Sequence, residues 1–244
     1  MDIEKAKKEF EKYTKKYDLE YPKMKRKYGH SFRVMENAKN IAKSLELSQE
    51  EVDLAELIGL LHDIGHFEEI KEKNILKHNT KIDHGDLGVE ILEKSSYIRE
   101  FIKEDKYDNI ILKAVKNHNK FEIEQGLNER ELLFTKIVRD ADKLDIFYEG
   151  AEMFWNTDEQ RKEINESKIS EKIWNLFKEK KAIDRKILET PADGILNFIA
   201  FIFDMNFEYT CKKIKEADYI NKILNKFDFK NKETAKLMEE VRKI

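Results

Sequence analysis

The sequence predicts an all-α protein, on three observations. Two prolines and eight glycines are all that punctuate 244 residues. Long stretches rich in Glu, Lys, Leu and Ile lie between them, a composition of high helix propensity. No run of alternating apolar and polar residues marks a strand, and no internal repeat or low-complexity linker divides the chain.

Residues 2–17 read as a charged amphipathic helix that breaks near Tyr21-Pro22. A second helix runs from about Gly29 to Leu45. Ser48 followed by Glu51 forms a capping box that opens a third helix ending at His62, with Gly65 suited to its stop. Residues 67–83 read as polar and irregular, with room for one short helix, and helices follow over 84–94, 107–118 and 129–148. From Gly150 onward the chain stays helical, and its aromatic stretch (Phe198, Phe201, Phe203, Phe207, Tyr209) reads as packing surface. The expected organisation is a helical domain over residues 1–150 and a C-terminal helical extension, 151–244, packed on the same core or serving as a lid.

Composition narrows the partners. Lys and Arg number 47 against 50 Asp and Glu, and the net charge of −3 argues for neither a nucleic acid nor an anionic membrane. The charge belongs to solvated helix faces, as at Glu4/Lys8 and Glu100/Lys103. The single cysteine, Cys211, excludes an internal disulfide and a multi-thiolate metal site. Met1 to Lys5 lacks an apolar signal core, and the most apolar run, Gly194–Phe203, is about half the ~20 residues that cross a bilayer. The expected location is the cytoplasm.

Several polar residues fall on apolar faces. His30 shares a face with Val34, Ala38, Ile41 and Leu45, and His84 with Leu87, Gly88 and Ile91. His118 closes the stripe Ile111, Ala114, Val115, and Asp140 lies on the stripe Leu133, Ile137, Leu144. His62-Asp63 ends the apolar run Leu60-Leu61. One inward histidine is more often a satisfied core residue than a ligand. Four inward histidines and two acids are harder to bury separately, because each unpaired charge costs several kcal/mol. A shared metal centre accounts for all six. His78, in Lys77-His78-Asn79-Thr80, reads as solvent-exposed, and His66 as either a rim residue or a solvated one.

Nitrogen and oxygen ligands without thiolate suit divalent Fe, Mn, Zn, Co or Ni. Six protein ligands are too many for one catalytic ion with an open position. Two ions sharing a carboxylate use all six, with Asp63 the expected bridge.

The order His30, His62-Asp63, His84, His118, Asp140 resembles the HD-domain superfamily of metal-dependent phosphohydrolases. Gly29-His30-Ser31-Phe32-Arg33-Val34 is similar to the first-ligand helix, Leu60–Gly65 to the naming motif, and Asp83–Gly88 and Asn117–Lys120 to the intermediate histidine motifs. Arg139–Asp145 resembles the final aspartate motif. The ordered set spans about residues 25–150, and His84 with His118 makes the chain look like the dinuclear branch.

The resemblance implies phosphoester hydrolysis by a metal-activated water, with Asp63, Lys143 and Arg33 as catalytic residues. It implies a first ion on His30, His62, Asp63 and Asp140 and a second on Asp63, His84 and His118. Arg33, His66, Asn117, Lys120 and Lys143 are the expected contacts of a small phosphorylated substrate, with nucleotides the family-level expectation. One departure is His66, where many relatives carry Lys or Arg; here it would serve as a phosphate contact or proton donor. Two alternatives stay open: a mixed-valent diiron oxygenase of the same superfamily, and a non-catalytic metal-dependent nucleotide sensor.

Overall fold

The computed structural model describes residues 1–76 and 83–244, and His78 therefore lies outside the described residues. Among these residues every regular element is helical, as the composition predicts. The chain divides into two compact units, Met1–Asp145 and Ile146–Ile244.

In the first unit, α1 (Ile3–Thr14) is capped by Asp2 and buries Ala6, Phe10, Tyr13 and Thr14, one stripe of a 3.6-residue period. Helix α2 (Pro22–Ser44) starts a full two turns before Gly29, because Pro22 at its first position carries a preset φ and needs no hydrogen-bond partner. Helix α3 (Gln49–Leu61) opens on the Ser48/Glu51 capping box, and every residue from Leu54 to Leu61 is buried. A helix buried all round is the centre of its unit, and α2 packs along it. The approach is close at Gly59, where a Cβ would stand 2.8 Å from Cα of Met35. That contact brings the C-terminal end of α3 to the middle of α2.

The third helix ends where expected, at Leu61 with His62 as its C-cap, but Gly65 is not its stop. A further helix, α4 (Ile64–Leu76), follows after a two-residue break and occupies much of the stretch read as irregular. Gly65 serves packing instead: a Cβ on it would meet the carbonyl oxygen of His84 at 2.3 Å and the backbone nitrogen of Gly88 at 2.5 Å. Helix α5 (His84–Glu93) therefore lies against α4 almost backbone to backbone. Asp83 caps α5 by accepting from the amides of Gly85 and Asp86. After α6 (Ile98–Phe101), α7 (Asp108–Asn117) packs on α5 and α3, and α8 (Glu129–Glu152) runs past the end of the unit.

The second unit contains α9 (Asp158–Glu166), α10 (Glu171–Lys178), α11 (Pro191–Ala200), α12 (Glu208–Glu216), α13 (Tyr219–Leu224) and α14 (Lys232–Val241). Ile173, Phe177, Leu196, Ile199, Ile223 and Val241 are among its buried apolar side chains. Phe198 packs on Phe147 and Trp155, and Phe203 on Phe177, as their aromatic stretch suggests. Asp193 is buried but satisfied, accepting from the amide and hydroxyl of Ser170 and the amides of Glu189 and Thr190. No helix among the described residues is long and apolar enough to cross a membrane.

Candidate metal centre

Helix ends deliver most of the site. His30 projects from the middle of α2, His62 and Asp63 follow the last residue of α3, His84 is the first residue of α5, and His118 follows the last residue of α7. The four imidazoles converge on the carboxylate of Asp63. Its Oδ2 lies 3.5 Å from Nε2 of both His30 and His62. Its Oδ1 lies 3.4 Å from Nε2 of His84 and 3.3 Å from Nε2 of His118. One ligand atom each from His30, His62 and Asp63 fit within 4.8 Å of one another, and so do those of Asp63, His84 and His118.

The far nitrogens of the rings are occupied. Nδ1 of His62 is 2.7 Å from the Gly59 carbonyl, and Nδ1 of His118 is 2.7 Å from that of Val115. A carbonyl only accepts, so Nδ1 carries a proton in both, and Nε2 is the nitrogen left to face the centre. Nδ1 of His30 lies 2.6 Å from Oδ2 of buried Asp145. Nε2 of His30 and Nε2 of His62 are 3.2 Å apart. Two lone pairs at that separation repel unless a proton or a metal ion stands between them. Oδ1 of Asp63 is buried without an aligned hydrogen bond. An unsatisfied buried carboxylate oxygen facing two imidazole nitrogens suits a divalent cation.

The electrostatics agree. Burial acts against the charge of Asp63, yet Lys27 and His62 hold its carboxyl well below the usual carboxylate range. Burial and Lys27 press the His30 imidazole down, but Asp142 and Asp145 outweigh them and raise it to about 9. Positive charge is favoured at His30, whereas burial lowers the imidazoles of His118 and His66.

The acid beside His30 and His62 corrects the expectation of Asp140. Oδ1 of Asp142 lies 3.1 Å from His30 Nε2 and 3.9 Å from His62 Nε2. Asp140 and Asp142 stand about 200° apart around α8, so they cannot share a face. Asp140 is fully buried, as its apolar stripe predicts, but on the other side of the helix. Asp142 and Asp145, three apart, share the face that meets α2.

The expected substrate contacts need revision too. Arg33 donates from Nε and one terminal nitrogen to the two oxygens of Asp145, at 2.6 and 2.9 Å, so its guanidinium is engaged in positioning that acid. Lys143 is buried. Asn117 is also buried, its amide donating to the Lys113 carbonyl and accepting from the Glu124 amide, which takes it away from any rim. Lys120 is paired with Asp83 and Asp86 at 2.8 and 2.7 Å. A cation that does reach the centre is Lys27, 2.7 Å from Asp63 Oδ2. A lysine near the start of a charged helix gives no sequence signal of this. His66 stands at the rim, its ring edge-on to His84 at 4.5 Å between centroids.

Residues 28–146 match the family model of the HD domain. No curated protein and no solved structure matches the chain. The HD domain is that of a superfamily of metal-dependent hydrolases, and the clustered histidines and aspartates are compatible with its metal site. Over residues 28–146, just under half of the chain, the sequence is therefore similar to the HD domain family.

Proposed function

We propose that the chain is a metal-dependent phosphohydrolase that cleaves a phosphoester of a small phosphorylated metabolite, nucleotides included, with water as the nucleophile. One observation carries the reading. The two oxygens of Asp63 are divided between two pairs of histidines, and each pair turns Nε2 toward its own oxygen. A carboxylate so divided suits two ions rather than one.

His30, His62, Asp63 and Asp142 would hold one divalent d-block ion, and Asp63, His84 and His118 the other. Bound there, the ions supply a water acidic enough to attack at neutral pH and charge to offset that of the phosphoryl oxygens. The protein contributes orientation. Gly59, Val115 and Asp145 fix the ring tautomers of His62, His118 and His30. Lys27 brings its ammonium, 14% exposed, to the edge of the centre, where it would pass from Asp63 to a substrate phosphate oxygen.

The test is a phosphoester panel assayed with protein purified without chelator and loaded with its native metal. Hydrolysis that disappears in Asp63→Ala, with the helical circular dichroism retained, supports the reading. Substrate-dependent oxygen consumption without phosphate release would favour the oxygenase chemistry instead. Tight nucleotide binding with no turnover of any ester would favour a sensor.

A further inference from the structure

A second convergence of ligand atoms lies beside the centre. One atom each from His66, Glu69 and His84 fit within 4.8 Å of one another. Glu69 Oε2 is 2.8 Å from His66 Nδ1 and 3.4 Å from His84 Nδ1. His66 Nδ1 is sealed from solvent, yet it makes no aligned hydrogen bond at that short distance. Ligand atoms about 2.0–2.2 Å from an ion stand roughly 3–3.5 Å apart in tetrahedral or octahedral arrangements, close to the separations found here. The side chains of His66 and His84 are 20% and 21% exposed, so a cation can reach them from solvent, while Glu69 is 6% exposed beneath.

His84 is held between two carboxylates. Its Nε2 is 3.4 Å from Asp63 Oδ1, and its Nδ1 is 3.4 Å from Glu69 Oε2. A neutral imidazole has one lone pair, carried by one nitrogen or the other. His84 can therefore serve the inner group through Nε2 or the outer group through Nδ1, but not both. We propose that His66, Glu69 and His84 form an outer seat for a divalent d-block cation, whose occupation withdraws His84 from Asp63 and His118. The inference rests on the reading of the inner group as the metal centre. Excess cation then inhibits by removing a ligand, without blocking the substrate.

The experiment is titration of the full chain, stripped of metal, with cobalt(II), followed by calorimetry and by visible absorption. The wild type should show tight uptake and then a separate, weaker event. His66→Ala and Glu69→Gln should weaken the later event at least tenfold and leave the tight uptake within twofold. His62→Ala should do the reverse. The inference is overturned if both outer variants titrate as the wild type does. It is equally overturned if Glu69→Gln weakens the tight uptake alone, since Glu69 would then only orient His84 for the inner ion. Absence of tight uptake in the wild type would contradict the inner centre itself, and the dependence of any remaining event on His66 would still decide the outer seat.

Discussion

Asp145 holds His30 from behind: its Oδ2 lies 2.6 Å from His30 Nδ1, and Arg33 grips both of its oxygens. A carboxylate on the far nitrogen of a metal-binding imidazole fixes the ring and raises its basicity, and losing one typically weakens metal binding about 10–100-fold. Asp145→Asn is expected to fall in that range. Arg33→Ala is expected to lose less, since Asp145 remains. Competition against a chelator of known affinity reads both.

Asp142 and Asp140 separate cleanly by substitution. Asp142→Asn removes the acid beside His30 and His62 and should weaken metal uptake at least tenfold. Asp140→Asn should leave metal stoichiometry unchanged and lower the midpoint of denaturant unfolding, because Asp140 is fully buried. Elemental analysis of the two variants beside their unfolding curves shows which acid serves the centre.

Much of this site was legible because burial of polar groups is costly. His30, His62, Asp63, His84 and His118 stand out on apolar faces, and the structure brings them together around Asp63. The same logic misplaced the last acid. An apolar stripe marks the side of a helix turned into the core, which is where Asp140 lies; a residue facing a polar pocket sits off that stripe, as Asp142 does at 16% exposure. Helix α4 was hidden for a related reason. Gly65 has the chemistry of a helix stop, and only the approach of α5 shows why a glycine is needed inside the helix. Lys27 and Glu69 look like ordinary charges of solvated helices until the tertiary structure encloses them.

Gly65→Ala tests that close approach. The added Cβ meets backbone atoms of His84 and Gly88 that cannot move without separating α4 from α5. Overpacking of this kind costs about 1–3 kcal/mol. Denaturant unfolding should show a loss of that order, and uptake at the group containing His84 should weaken more than at the group containing His30.

Arg139 stabilises the loop after His118. It is buried and donates to the carbonyls of Asn117, His118 and Lys120. Arg139→Met leaves those acceptors without their donor and should cost about 2–4 kcal/mol, since hydrogen bonds to a charged group are worth about 1.5–3 kcal/mol each and are not additive. The urea midpoint measures it.

The same loop carries a pH-dependent tie. Lys113 and Lys116 bond the Glu124 carboxyl at 2.6 and 2.9 Å and lower its pKa to about 2. A depressed carboxylate contributes stability above its unfolded pKa, near 4.3, and loses it as pH falls toward the folded value. Solvent screening limits the contribution to about 0.5 kcal/mol. Wild type should therefore exceed Glu124→Gln by that amount at pH 6, and the difference should vanish between pH 4 and pH 2.

The division of Asp63 between two histidine pairs is the centre of the account, and metal content tests it most directly. Elemental analysis of the wild type purified without chelator should find two equivalents of divalent d-block metal per chain, and His118→Ala should retain one. A single equivalent in the wild type, unchanged in His118→Ala, would contradict the two-ion centre.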